Sequence, residues 1–248
     1  MPEGFERNPA SAAQVGRMKH IGVVRFSAAQ FLIALVLFLL AAPFVEDLPN
    51  GRFIDGTLLT LMLASGALAV GARRRQLVIA AILVAPAIVG RWINLFRPGT
   101  VPLEMLLTAA LAFAIFVFVN LLLFVLRAPK VNSEVLCAGI SSYLLLGLLW
   151  AFAYVLTTVS IPDSFSFNNG TAHSLSNSDA LYFSFITLST VGYGDIAPLS
   201  HVARTLAAAE AMTGTIYVAV FIARLVALYS TAATREQQTV PEQPPADH

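Results

Sequence analysis

One six-residue stretch of the sequence has the composition of a backbone cage for a desolvated cation. It reads Thr190-Val191-Gly192-Tyr193-Gly194-Asp195. A cation that sheds its water needs a stack of oxygen ligands, and backbone carbonyls that point along one axis can supply them. Successive carbonyls point the same way only in backbone conformations that most residues avoid, so glycine is needed at Gly192 and Gly194. We therefore expect the carbonyls of Thr190 through Gly194 to coordinate the ion, with Tyr193 facing away and bracing the loop from behind.

The rest of the chain must hold this stretch inside a membrane. The chain of 248 residues is 57% hydrophobic and 12% charged, whereas a soluble domain carries about 25% charged residues. The hydrophobic residues come in blocks of the roughly 20 residues that a helix needs to cross a bilayer. We therefore expect an all-α, multi-pass membrane protein. The net charge of +1 carries no information about nucleic acid, and we expect no nucleic acid partner. The lone Cys137 excludes an intrachain disulfide and a cysteine-based metal site.

The hydrophobic blocks predict six transmembrane helices. Their approximate bounds are Phe26–Val45, Phe53–Ala72, Leu77–Phe96, Leu103–Leu126, Val135–Val159 and Val202–Tyr229. Between the fifth and the sixth lie a short helix from Asp179 to Leu188, with Ser178 as its N-cap, and then the glycine-containing stretch. The first block could instead be a signal peptide, but its hydrophobic run is long for one, and we favour a retained helix.

The basic residues predict the orientation of these helices. Those on one side precede the first helix, lie in the second and fourth connections, and follow or end the sixth: Arg7, Arg17, Lys19, Arg25, Arg73, Arg74, Arg75, Arg127, Lys130, Arg224 and Arg235. Those on the other side are Arg52, Arg91, Arg97 and Arg204. Because cytoplasmic connections are enriched in Lys and Arg, both termini are predicted to be cytoplasmic, and residues 190–194 then open outward.

Residues 128–231 resemble the pore domain of tetrameric potassium channels, and the whole chain resembles the six-span bacterial type. The resemblance is carried by the filter sequence at 190–195, the short pore helix before it, Pro198 after it, and Gly214 in the last helix. It implies a homotetramer in the bacterial inner membrane that mediates passive, potassium-selective flux and is not an enzyme. Potassium ions, bound by filter carbonyls, and membrane lipids are the implied partners, and no cofactor is implied. Two alternatives stay open: a less selective cation channel and a potassium transporter subunit.

The resemblance also assigns positions that support the filter. Many relatives have a pair of tryptophans in the pore helix, and this chain has Tyr182 and Phe183 there. Tyr182 can donate a hydrogen bond to Asp195, which is implied to anchor the loop and to add negative charge at the outer mouth. Phe183 has no hydrogen-bonding group for Tyr193. Where some relatives have a glutamate behind the filter, this chain has Ile186.

Three further positions have roles that the resemblance leaves open or only implies. Ala197, the second residue after Asp195, is implied to lie at the outer mouth. Gly214 lies where the family has a gating hinge, although close packing of helices explains a small residue equally well. Glu210 lies one turn earlier; because a carboxylate in a membrane needs a partner or water, it either bonds behind the filter or faces the cavity and attracts cations.

The four helices before the pore, residues 26–127, lack the charges of a voltage sensor. Such a sensor needs several arginines spaced three apart on its fourth helix, and the fourth helix here has no basic residue inside it. Arg91 is expected to extend to the outer interface, and Asn120 to hydrogen-bond a neighbouring helix. We therefore expect a scaffold for packing, assembly or lipid contact and only shallow voltage dependence, with a modulatory pocket as the alternative.

The remaining segments give weaker indications. Residues 1–25 and 232–248 are predicted to be disordered cytoplasmic tails, the second too rich in proline to fold a regulatory domain. Asn169-Gly170-Thr171 has the spelling of a glycosylation acceptor. His173 and His201 flank the outer mouth as solvated residues, with external pH sensing as the alternative.

Overall fold

A computed structural model describes residues 28–45, 48, 51–70, 74–167 and 175–239. The described residues form an all-α structure with one two-stranded sheet, and six helices are long and apolar enough to cross a membrane. In chain order the elements are α1 (Ala28–Val45), α2 (Gly51–Val70), α3 (Arg74–Phe96), α4 (Leu103–Arg127), α5 (Ser133–Ser160), β1 (Phe165–Phe167), α6 (Asn177–Leu188), β2 (Ile196–Pro198) and α7 (His201–Thr239). The six predicted spans are therefore confirmed as helices.

Two helix ends differ from the predictions. The third helix begins at Arg74, so Arg74 and Arg75 lie in its first turn instead of in a loop. The last helix continues to Thr239, well into the tail predicted to be disordered from residue 232. That segment, TAATREQQT, holds several good helix formers and precedes the first proline of the tail, Pro241. Residues 1–25, Arg73, Asn169-Gly170-Thr171, His173 and 240–248 lie outside the described residues.

Two of the four leading helices, α1 and α4, connect this part of the chain to the helices that follow. Helix α4 lies along α5, and α1 contacts both α5 and α6. One continuous hydrophobic core joins them, and it contains Phe31 and Leu35 of α1, Phe113 and Val117 of α4, and Leu145 of α5. The link between α4 and α5 is short, because Arg127 ends one helix and the Asn132 side chain already caps the next by accepting from the Val135 N–H.

Polar contacts join helix ends at the side of the bundle away from the filter. The Glu134 carboxylate in the first turn of α5 accepts a hydrogen bond from the Ala28 N–H at 2.8 Å, where α1 begins. On α7, the Arg224 guanidinium donates to the Ala128 carbonyl at 2.8 Å, immediately after α4. A cation at the C-terminal end of a helix is favourably placed relative to the helix dipole.

Polar side chains inside the leading helices are paired. Arg91 on α3 forms a salt bridge with Asp55 on α2, a partner that the sequence analysis did not foresee, and its extension to the outer interface stays a prediction. The two side chains are 31% and 29% exposed, so the salt bridge that joins these helices is partly solvated. Asn120 accepts a hydrogen bond from the Gln76 amide at 3.1 Å, which confirms the helix-to-helix role expected for it.

Candidate functional site

The pore helix α6 begins two residues earlier than predicted and has a complete capping box. Ser176, not Ser178, is the N-cap: its hydroxyl accepts from the Asp179 N–H at 3.1 Å. The Asp179 carboxylate in turn accepts from the Ser176 N–H, so two backbone donors at the helix start are satisfied. Ser178 lies inside the first turn and has a hydroxyl contact with Ser176 at 3.0 Å.

The pore helix is held by the helices on both sides of it. Its buried residues are Ala180, Phe183, Ser184 and Leu188, and they face α5 and α7. Phe185 fits against α5 where only glycine leaves room, since a Cβ added at Gly147 would lie 2.6 Å from the Phe185 ring. The helix ends at Leu188, directly before the candidate ion-binding stretch.

The backbone of that stretch has positive φ at every second residue. Thr190, Gly192 and Gly194 have φ of 59°, 54° and 81°. Positive φ at alternate residues breaks the regular strand pattern, in which successive carbonyls point to opposite sides. The glycines at 192 and 194 therefore have the conformations that the sequence predicted for them. The positive φ at Thr190 is a strained conformation for a non-glycine residue, and the sequence analysis did not foresee it.

Hydrogen bonds tie the start of the stretch to the pore helix. The N–H groups of Val191 and Gly192 both donate to the Ile186 carbonyl, at 2.8 and 3.1 Å. Ile186 therefore supports residues 190–194 through its main-chain carbonyl, and its apolar side chain can form no hydrogen bond with them. Val191 and Tyr193 are 54% and 73% exposed in the single chain, so this face of the stretch is uncovered.

The segment after the stretch is anchored by Asp195. Its carboxylate accepts the Tyr182 hydroxyl at 2.7 Å, which confirms the predicted hydrogen bond, and also accepts the Ile196 N–H at 3.1 Å. Strand β2 then pairs antiparallel with β1, which places Ala197 opposite Ser166. Ala197 thus belongs to a two-stranded sheet, and its proposed place at the pore mouth depends on how neighbouring copies are arranged.

Phe183 supports the pore helix by packing. Its ring is buried and makes edge-to-face contacts with Tyr154 at 5.0 Å and Phe165 at 5.4 Å between centroids. Tyr154 and Phe165 also contact each other, so three aromatic rings join α5, β1 and α6. Such pairs contribute roughly 0.5–1.5 kcal/mol beyond the area they bury. The sequence analysis assigned Phe183 to the filter but had no signal for this cluster.

Glu210 lies behind the pore helix and is completely buried, at 0% exposure. It accepts a hydrogen bond from the Tyr154 hydroxyl of α5, and its other oxygen lies 2.6 Å from the Ser184 hydroxyl of α6. The sequence left two positions open for Glu210, one behind the filter and one facing the cavity. Its burial and its hydrogen bonds to α5 and α6 agree with the first. Tyr154 and Ser184 are the hydrogen-bonding partners of Glu210 that sequence reasoning missed.

Gly214 is in close contact with the end of the pore helix. A Cβ added there would overlap the Leu188 carbonyl oxygen and would come within 2.9 Å of Leu188 Cδ1. The glycine is therefore needed for close packing at the last turn before the filter, whereas its role as a gating hinge stays a prediction. His201 is an exposed residue at the start of α7.

A comparison with protein families covers this part of the chain. Residues 135–231 match the family model described as Ion channel. A curated relative, the two pore potassium channel b of Oryza sativa subsp. japonica, is 36% identical over 86 residues, which are 35% of this chain and 24% of the relative. The chain thus spans about a quarter of the length of the curated relative it matches. No solved structure matches the chain. The short helix α6, the glycine-containing stretch and most of the two helices that frame them lie within the residues that match this family model.

Proposed function

We propose that the chain is the subunit of a potassium-selective channel that conducts passively across a membrane. The observation that carries the proposal is the alternating backbone of residues 190–194, held at the end of a pore helix by the Ile186 carbonyl and by Asp195. Five carbonyls and one threonine hydroxyl are then available to replace the hydration shell of a potassium ion. Residues 190–194 are the filter in this proposal.

The complete site needs four copies of the chain. One chain supplies one filter strand, and a cation on an axis needs oxygens from all sides. The exposure of the last helix supports this. In the most apolar part of α7, 11% of the residues are buried within the chain, whereas in that of α5 56% are buried. In a homotetramer, Val191, Tyr193 and the apolar face of α7 gain protein neighbours, while α1 to α4 face membrane lipids.

The pore helix contributes to ion stability electrostatically. Its C-terminal end carries partial negative charge, equivalent to about half an elementary charge. Four such ends directed at a central cavity favour a cation in the middle of the membrane, where its own hydration is weakest. The proposed orientation puts both termini in the cytoplasm and the filter toward the outside, because the basic residues Arg74, Arg75, Arg127 and Arg224 lie on the opposite side from Arg91 and Arg204.

The proposal can be tested with purified protein in liposomes. A potassium gradient is imposed, and flux is followed in the native protein and in Gly192→Ala. Gly192 has φ of 54°, so alanine there is strained and its carbonyl leaves the alternating pattern. We expect potassium flux in the native protein and its loss in the variant, with both eluting as the same oligomer. Equal flux in the two proteins, or none in either, contradicts the proposal.

The less selective cation channel is distinguished by sodium flux in the same liposomes. Comparable sodium and potassium flux favours that alternative, and flux that depends on a second coupled gradient favours the transporter subunit.

A further inference from the structure

A buried polar cluster behind the pore helix lies away from the ion pathway and needs its own explanation. It consists of Tyr154 on α5, Ser184 on α6 and Glu210 on α7. All three residues are 0% exposed. Among the described residues, the salt bridge found is Asp55 with Arg91, so no cation lies within salt-bridge distance of Glu210 there. An unpaired carboxylate in such a place is costly.

Three close oxygen–oxygen contacts hold the cluster together. The Tyr154 hydroxyl contacts one carboxyl oxygen of Glu210. The other carboxyl oxygen lies 2.6 Å from the Ser184 hydroxyl, and the same hydroxyl lies 2.7 Å from the Gly147 carbonyl of α5. Two oxygens come this close when one hydrogen lies between them.

The hydrogens can be counted. Tyr154 and Ser184 each carry one hydroxyl hydrogen, and the Gly147 carbonyl carries none. An ionised Glu210 would therefore leave three contacts with two hydrogens, and Ser184 would have to choose between Glu210 and Gly147. A protonated Glu210 supplies the third hydrogen, and each contact then has its own.

We propose that Glu210 is a neutral carboxylic acid that positions the pore helix. It accepts from Tyr154, donates to Ser184, and so allows Ser184 to donate to Gly147. This chain of hydrogen bonds fixes one point of the pore helix to both α5 and α7. Glu210 is accordingly a positioning residue, and it does not attract cations to the pore.

The position of Ser184 connects the cluster to the filter. Ser184 is two residues before Ile186, whose carbonyl accepts the N–H groups of Val191 and Gly192. A displacement of the pore helix at Ser184 therefore reaches the filter backbone through two main-chain hydrogen bonds. This second part of the inference rests on the proposed potassium channel function.

Infrared spectroscopy of the protein in liposomes at neutral pH tests the protonation state without any conduction. Exposed carboxyl groups, with ordinary pKa values near 4, are ionised under these conditions. We expect a carbonyl band of a protonated carboxylic acid that is lost in Glu210→Gln and kept in Glu104→Gln, since Glu104 is an exposed residue in the first turn of α4. A native spectrum without the band, or a band that persists in Glu210→Gln, overturns the proposal.

Selectivity of the same variants tests the positioning role. A glutamine can accept from Tyr154 and donate to Ser184, so Glu210→Gln should keep the potassium-to-sodium permeability ratio of the native protein. Ser184→Ala should lower that ratio, because it removes the hydrogen bonds that join the pore helix to both Glu210 and Gly147. It removes only a hydroxyl, so it stays informative if Glu210→Gln fails to fold.

Two results oppose the positioning role: an unchanged ratio in Ser184→Ala, or an equal loss in Glu210→Gln. A native protein that conducts no potassium would contradict the proposed function instead, and the infrared result would still decide the protonation state.

Discussion

Replacement of Gly214 by alanine tests the contact between α7 and the last turn of the pore helix. The added Cβ would overlap the carbonyl oxygen of Leu188, which is a backbone atom, and would lie 2.9 Å from Leu188 Cδ1. The side chain of Leu188 can rotate, but its carbonyl cannot move unless the end of the pore helix moves as well. Because Thr190 follows two residues later, the filter must shift with it.

The size of the effect follows from two opposing contributions. Overpacking of a tightly packed site costs about 1–3 kcal/mol. Alanine in place of glycine in a helix recovers up to about 1 kcal/mol. The matched control is Gly56→Ala on α2, where the nearest atom to an added Cβ, Arg91 Nε, lies 3.7 Å away. Both variants recover the helix propensity, so the difference between their stabilities isolates the overpacking of about 1–3 kcal/mol.

Thermal unfolding of the purified protein in detergent measures this difference. For a chain of this length, each kcal/mol corresponds to about 2–4 °C in the melting temperature, so Gly214→Ala should melt several degrees below Gly56→Ala. The native-like melting of both variants would refute the close contact at Leu188. A Gly214→Ala protein that keeps its stability but opens less often would instead favour the gating hinge.

Three further predictions concern conduction. Open probability should change only shallowly with voltage, because the one Arg91 charge is paired with Asp55 and a single charge crossing 100 mV gives about 2.3 kcal/mol; steep activation in bilayer recordings would oppose this. Tyr182→Phe removes the 2.7 Å hydrogen bond to Asp195, so macroscopic current should decay faster than in the native protein, and raised external potassium should slow the decay; identical decay would show that the bond does not hold the filter. Ala197→Tyr should strengthen external block by tetraethylammonium about tenfold, since four aromatic faces can each attract the cation by roughly 0.5–2 kcal/mol; unchanged block would mean that the position opposite Ser166 does not face the axis.

Hydropathy was sufficient to predict the helices, and the local sequence of residues 190–195 was sufficient to predict the unusual backbone conformations of the filter glycines. Blocks of about 20 apolar residues leave a helix as the favoured structure in a bilayer, because every backbone group must be satisfied within the segment. The end of α7 was missed because TAATREQQT is polar, and hydropathy does not register a polar helix. The N-cap at Ser176 was readable in principle, since Ser176 and Asp179 have the three-residue spacing of a capping box.

The contacts behind the filter could not be read from the sequence. Tyr154, Ser184 and Glu210 lie on three different helices, and no local spacing rule relates residues 56 and 26 positions apart. The same holds for Asp55 and Arg91, which are 36 positions apart. Long-range pairing depends on how the helices are rotated about their axes, and periodicity in strongly apolar helices leaves that rotation undetermined.

The reversal potential of the native channel tests the central claim most directly. With potassium on one side of a bilayer and an equal concentration of sodium on the other, each tenfold preference for potassium shifts the reversal potential by about 59 mV. The filter described here predicts that the reversal potential shifts toward the equilibrium potential of potassium by well over the about 59 mV of one tenfold preference. A reversal potential near zero would contradict a potassium-selective filter at residues 190–194.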